Sequence, residues 1–299
     1  MPALLQQWAE VTPGSLGLQW LLFVLSKVST LYLVGLGFWF LERLRPAQPE
    51  SRFFKGDFRT ELCYPLFNAA VSTPVFTLLL VVVTLHVLEP FVPHQVLAPD
   101  VLALPFAVQV LVALLLSDLA VYGEHRFLAH RALWRFHAVH HMPAEVSWIT
   151  TTRVHPVNAI TIAAVAAGLR WVLGFDGQAV VVATWISSAL AFWEHANLDV
   201  ALPRPWCWLV VTPRYHRWHH ASEPEAADKN FSLIFPFIDV LFGTYYCPDR
   251  LPRTYGLVPA AAPAGAIPDH FLGQLGYPFR RSLAHARALL RLRSAGVPS

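Results

Sequence analysis

Two short words in the chain can do metal chemistry: His137-x-x-His140-His141 and His216-x-x-His219-His220. Neutral imidazole is a common ligand for iron, zinc and copper. On a helix the positions i, i+3 and i+4 share a face, so each triplet is expected to present three rings to one centre. His125 and His130, in His125-Arg126-Phe127-Leu128-Ala129-His130, lie five apart, about 140° around an ideal helix. They converge only if the helix ends or bends between them. His195, in Glu194-His195-Ala196-Asn197, and His155, in Arg153-Val154-His155-Pro156, complete the set. Of the 14 histidines in the chain, ten fall between His125 and His220. That supply exceeds what one ion can use, so the count favours two ions. His155 is left open between ligand, support for a ligand, and structural residue. A lone histidine beside a membrane is more simply a helix cap or a headgroup contact, a reading that two triplets on one side do not fit.

Rings spread over nearly a hundred residues need elements that return the chain to one place. The chain has 299 residues, 55% hydrophobic and 14% charged, against about 25% charged in soluble domains. This excludes an ordinary water-soluble enzyme and a disordered chain. The net charge of +3 does not call for nucleic acid. Apolar runs at 16–41, 64–88 and 102–122 are each long enough for a membrane span, and Pro74 marks a kink of the kind membrane helices tolerate. The first run is too long for a signal-peptide core and reads as a retained anchor. Two shorter runs, 157–173 and 178–192, are separated by Gly174-Phe175-Asp176-Gly177 and read as a helical hairpin, 157–192. The expected fold is an all-α membrane protein of about four to five transmembrane or re-entrant helices. Its regions are 1–117, a transmembrane part; 118–246, a catalytic part; and 247–299, a linker and tail.

Basic residues orient this bundle. Arg43, Arg45, Arg52, Lys55 and Arg59 follow the first run, Arg126, Arg131, Arg135 and Arg153 the third, and Arg204, Arg214 and Arg217 the hairpin, while 89–100 holds no lysine or arginine. The positive-inside rule puts the three basic segments in the cytoplasm. Because a hairpin returns to the side it left, all ten clustered histidines are expected on that cytoplasmic face. His86 and His94 fall on the other side, and His270 and His285 lie in the tail.

In order and spacing these residues resemble the fatty acid hydroxylase (sterol desaturase) superfamily of integral-membrane, non-haem di-iron enzymes. The matching stretch runs from Asp118-x3-Tyr122-x2-His125 to Asp239-Val240-Leu241-Phe242-Gly243-Thr244-Tyr245, and includes Thr212-Pro213-x2-His216-Arg217-x-His219-His220 and Asn230-Phe231. The resemblance implies a membrane bundle under a cytosolic, histidine-rich di-metal cap in which His125, His130, His137, His140, His141, His195, His216, His219 and His220 hold two irons, and it implies O2-dependent hydroxylation or desaturation of a lipid. The sequence does not choose among a sterol, a fatty acyl or sphingoid chain, an alkylglycerol ether and a carotenoid-like isoprenoid. Asp118, Glu194 and Asn197 are the candidates to hydrogen-bond a ligand ring from behind. Relatives often carry an acidic residue where Asn158 stands and a small hydroxyl residue where Met142-Pro143 stands, departures expected to bear on the substrate rather than the metals.

Activated O2 needs electrons, and the chain has no G-x-G-x-x-G loop, iron–sulfur cysteine run or added haem-binding segment. An external donor (cytochrome b5-like, ferredoxin or reductase) is the expected partner. Arg126, Arg131, Arg135, Arg204, Arg214 and Arg217 either steer an acidic donor or serve only as positive-inside charges. Cys63, Cys207 and Cys247 form no pairing pattern. Trp134, Trp148, Trp193, Trp206, Trp208 and Trp218 gather around the histidine segments, as interfacial anchors or as a channel lining. Residues 279–293 mix leucine and arginine as a basic amphipathic helix for a lipid surface, after an Ala/Pro/Gly-rich linker at 258–268. The alternatives are a zinc-dependent membrane hydrolase, for which no HExxH is present, and a non-catalytic metal-binding membrane protein, whose ligands belong at mid-membrane depth.

Overall fold

A computed structural model describes residues 13–51, 58–83, 98–257 and 267–294. Among them the chain is helical throughout, with only two isolated bridges, Pro46 to Leu198 and Ala221 to Tyr255. The helices are α1 (Pro13–Leu44), α2 (Phe58–Phe67), α3 (Thr73–Val83), α4 (Ala98–Leu102), α5 (Phe106–Glu124), α6 (Trp134–His141), α7 (Pro156–Leu173), α8 (Gly177–His195), α9 (Trp206–Leu209), α10 (Pro213–His219), α11 (Phe237–Leu241) and α12 (Phe271–Ser294). His86, His94 and most of the linker before α12 lie outside the described residues.

The expected first run falls within α1. The second is carried by α2 and α3, joined through a π-helical turn, Asn68–Ser72, directly before Thr73-Pro74. A proline ring collides with the carbonyl four residues back. The wider turn, in which the Thr73 N–H reaches the Asn68 carbonyl, opens the helix where Pro74 needs room. Among the described residues two helices are long and apolar enough to cross a membrane, Phe58–Leu79 and Phe106–Ala132. Leu33, Leu78 and Trp185 are 72%, 65% and 72% exposed, a surface suited to lipid rather than water.

The hairpin is present as α7 and α8. Gly174, at φ 75°, makes the turn, and Asp176 caps α8 by accepting from the N–H groups of Gln178 and Ala179 at 2.9 and 3.1 Å. Both helices pack on α5. Small residues allow the approach: Ala113 of α5 meets Ala179 and Ala183 of α8 in a core closed by Val110, Leu114 and Ile234, the small-residue contact that suits membrane helices. At the end of α1, Glu42 accepts from the N–H groups of Trp148 and Asn197, both at 2.8 Å. That carboxylate ties the first helix to the histidine-bearing segments.

Candidate metal centre

The helix carrying His125 does not end between His125 and His130. It widens into a π-helix, His125–Ala132, where i→i+5 bonding stacks residues five apart. The Leu133 N–H reaches the Leu128 carbonyl at 2.7 Å, and the two rings stand 5.1 Å apart, centre to centre. On α10, Thr212 caps the helix by accepting from the Tyr215 N–H at 3.3 Å, and Pro213 opens its first turn. The helix then carries His216 and His219, with His220 at its C-terminal cap.

The nine rings form two groups. His125, His130, His137, His141 and His219 make one; His140, His195, His216 and His220 make the other. In each, the ligand-capable atoms all lie within 4.8 Å of one another. The triplets therefore do not each serve one centre. His137 and His141, at i and i+4, enter the five-ring group while His140 goes to the four-ring group; His216 and His220 enter the four-ring group while His219 goes to the other. Positions i and i+4 differ by only about 40° around a helix, whereas i+3 points about 100° from i+4. Two facing helices can thus exchange their middle histidines.

Backbone carbonyls fix which nitrogen faces inward. Nδ1 of His125 donates to the Phe231 carbonyl at 2.9 Å, that of His219 to Lys229 at 2.9 Å, and that of His195 to Ala191 at 2.8 Å. A carbonyl only accepts, so in these three rings Nε2 is a lone pair. The Nε2 atoms nevertheless crowd together: 3.1 Å between His125 and His137, 2.9 Å between His137 and His141, 3.1 Å between His140 and His195, and 3.0 Å between His195 and His216. Nε2 of His130 and of His219 are buried without a hydrogen-bond partner. Nitrogens about 2.0–2.1 Å from one ion stand roughly 3.0–3.4 Å apart at neighbouring positions. Converging lone pairs at that spacing fit one cation per group.

Burial, with repulsion from neighbouring rings, pushes the His137 imidazole down to about 3, and holds those of His140, His141, His216, His219 and His220 well below their ordinary value. These rings are neutral at physiological pH, the form that binds metal.

The residues behind the rings differ from expectation. Glu194 stands beside two rings, its carboxylate 3.6 Å from Nδ1 of His195 and 3.5 Å from Nδ1 of His216, but it hydrogen-bonds neither: His195 Nδ1 goes to a carbonyl and His216 Nδ1 has no hydrogen-bond partner. Asp118 touches no histidine: it accepts from the N–H groups of Leu233, Ile234 and Phe235 at 2.8, 3.1 and 2.7 Å. Asn197 also stands off the rings, accepting from Gln48 and Arg217 at 2.9 and 2.6 Å. Asn158, expected on the substrate side, instead backs a ring. Its Oδ1 lies 2.7 Å from His137 Nδ1, and its amide points to Glu124, which accepts from Thr161 at 2.6 Å. His155 belongs to neither group, because both its nitrogens are engaged. Nε2 donates to the Leu275 carbonyl at 3.1 Å, and Nδ1 accepts from the Val157 N–H at 3.2 Å.

Asp239 is a hub that histidine spacing does not reveal. It accepts from the N–H groups of Phe231 and Ser232 and from the hydroxyls of Tyr215, Ser232 and Thr244. With Asp118 it clamps the segment whose Phe231 carbonyl holds His125. Its only signal in the sequence is its place in the Asp239–Tyr245 word. Some expected surface groups are interior. Arg217 is fully buried and donates to Gln48, Val146 and Asn197, and Arg153 is fully buried beside Glu61. Trp148 and Trp218 are 2% and 0% exposed, core residues rather than interfacial anchors, while Trp134 packs on His130 and His141.

Fold and site together define a helical protein with two adjoining polyhistidine pockets beside apolar helices. Residues 110–244 match the family model described as fatty acid hydroxylase. The chain is 33% identical over 182 residues to ornithine lipid hydroxylase OlsE of Rhizobium tropici, covering 59% of this chain and 52% of that protein. It is 29% identical over 144 residues to alkylglycerol monooxygenase of Xenopus tropicalis, covering 47% and 31%, and 29% identical over 164 residues to that of Danio rerio, covering 54% and 35%. The matched stretch thus spans about half of the first relative and about a third of the other two. No solved structure matches the chain. Residues 110–244, a little under half of the chain, are thus similar to a fatty acid hydroxylase domain.

Proposed function

We propose that the protein is a multi-pass membrane oxygenase that hydroxylates a C–H bond of a membrane lipid, using O2 and electrons from an external donor. The observation that carries this reading is the convergence of nine histidines, eight of them buried, into two adjoining groups with lone pairs facing inward. The two groups are the residues that would hold two irons. Bound there, the irons supply the O2 activation that side chains cannot perform.

The chain's own part is placement and exclusion. His125, His195 and His219 keep their protons on Nδ1 through carbonyl partners, so Nε2 stays a ligand without a proton having to leave. Asn158 holds the ring of His137 from behind, and the Glu194 carboxylate stands 3.5 Å behind that of His216. Eight of the nine rings are buried, His130 alone being part-exposed, which keeps bulk water off the centre. An apolar cavity of about 660 Å³, lined by Tyr32, Leu36, Trp39, Phe58 and Trp148, is of a size suited to a hydrocarbon chain. The relatives' names make an acylated amino-acid lipid the first substrate class to try and an ether lipid the second. We place the histidines on the cytoplasmic face, within reach of a soluble or membrane-bound donor.

The reading is tested with purified protein, iron, a chemical or enzymatic reductant and bacterial lipid extract under 18O2. The expected product is a lipid carrying one 18O atom, formed only with both O2 and reductant. A lipid product whose new oxygen is unlabelled, formed without O2 or reductant, would point to zinc-assisted hydrolysis and overturn the proposal.

A further inference from the structure

Helix α12 is the part of the molecule that the metal centre does not explain. Its first turns are built into the protein. Gln274 is fully buried, accepting from the Tyr64 hydroxyl at 3.0 Å and donating to the Pro268 carbonyl at 2.9 Å, and the Leu275 carbonyl holds His155. Beyond Pro278 the character changes: every described residue from Phe279 to Ala284 is exposed. Leu272, Phe279 and Leu283 are 74%, 51% and 58% exposed. Their spacing of seven and four places them in one row along the helix, and the sequence continues that row at 286 and 290 with alanine and leucine.

A second row runs beside it. Arg280, Arg287 and Arg291 each follow a member of that row, 279, 286 and 290, by one position, so they stand about 100° around the helix from it. From 271 to 299 the chain has five arginines and no aspartate or glutamate. Protein contacts hold one side of the helix, with the Phe279 ring 5.5 Å from that of Phe136 and Arg135 donating to the Ser282 hydroxyl at 2.9 Å. An apolar row flanked by arginines matches the boundary between acyl chains and anionic headgroups. The position agrees, because α12 packs on α2, the first part of the candidate span Phe58–Leu79.

We infer that α12 is a membrane-surface helix, docking its Leu272–Phe279–Leu283 row and its arginines on the anionic phospholipids of the bilayer that holds the spans. The apolar row enters the acyl boundary, and Arg287 and Arg291 meet lipid phosphates. Docking of this kind fastens the segment that carries Gln274 and the Leu275 carbonyl against α6, the helix bearing His137, His140 and His141.

The test places a nitroxide at Leu283→Cys in a full-length chain with Cys63, Cys207 and Cys247 changed to Ser. The protein is reconstituted into phosphatidylcholine bilayers with or without phosphatidylglycerol. Power-saturation EPR then compares relaxation by O2, which partitions into lipid, with relaxation by a water-soluble nickel chelate. The expected result is a lipid-exposed label with phosphatidylglycerol and a more water-exposed one without it. Arg287→Glu/Arg291→Glu should remove that difference, shifting the helix's partition roughly tenfold or more. Arg280 is left intact because it donates to the Gly273 carbonyl at 3.0 Å. A label that is water-exposed in both bilayers overturns the inference. So does one equally buried in both and indifferent to the arginine changes. Immobilisation that appears only as protein concentration rises in detergent would make the row a contact between two copies, and also overturns it. Metal content, measured on the same samples, reports on the proposed function separately.

Discussion

Asn158 shows how much one side chain behind a ligand can decide. Its oxygen is 2.7 Å from His137 Nδ1 and its amide is turned toward Glu124, so the ring is held in one orientation with Nε2 inward. Asn158→Leu keeps the volume and removes the acceptor. Residues that orient a ligand typically change metal affinity 10- to 100-fold, and a weakening of roughly that size is expected for Asn158→Leu in a competition titration against a chelator. An unchanged affinity would make Asn158 a packing residue. His155→Ala provides the contrast. Its ring pins α12 and joins neither group, so the variant should keep its metal while its thermal midpoint falls. The identities and order of the ring-bearing residues could be read from the sequence. Which partner each Nδ1 takes could not, because Phe231, Lys229 and Ala191 contribute carbonyls, and any residue type carries one.

At the scale of elements, the hairpin and the triplet-bearing helices were legible because Gly174, Asp176, Thr212 and Pro213 mark turns and caps whatever the surroundings. Two features were not. The π-helix at 125–132 has no composition of its own, and the exchange of His140 and His219 between groups depends on how α6 faces α10, a tertiary fact. The candidate spans at 58–79 and 106–132 follow from apolar length, but charge counting alone misassigned Arg153 and Arg217, which are internal partners. Two predictions belong here. A Cβ on Gly35 would lie 2.2–2.6 Å from the ring of Trp148, itself 2% exposed. Gly35→Ala should therefore cost about 1–3 kcal/mol, read as a lower unfolding midpoint in detergent. Asp118→Ala leaves three N–H groups of the 233–235 segment without their acceptor, a loss of about 3 kcal/mol or more. Because that segment also positions Phe231, iron binding should weaken in the same variant, while Leu119→Ala on the exposed side of α5 should leave both unchanged.

For the whole molecule, a cluster of neutral histidines sets the response to acid. In the ion-free protein His137 titrates only at about 3, and the other rings outside the spans are also held well below 6.5. An unfolded chain protonates them near 6.5. Between about 6.5 and about 3 the unfolded state binds more protons, so stability falls as pH falls through that window. The unfolding midpoint of ion-free protein should drop steadily from pH 7 to pH 5. Iron-loaded protein should hold its midpoint further into acid before releasing metal. A flat profile for the ion-free protein would mean that the rings are hydrated and the buried cluster is not present in solution.

The most direct measurement is metal content per folded chain, for wild type, His219→Ala and His140→Ala purified in mild detergent from iron-supplemented cells. These two residues stand in different groups although each is the middle histidine of its triplet. The wild type should hold two irons per chain, and each variant should lose iron together with O2-dependent lipid oxidation. Folded wild type that binds one ion or none, or variants that both retain two, would contradict the assignment of the nine histidines to two metal centres.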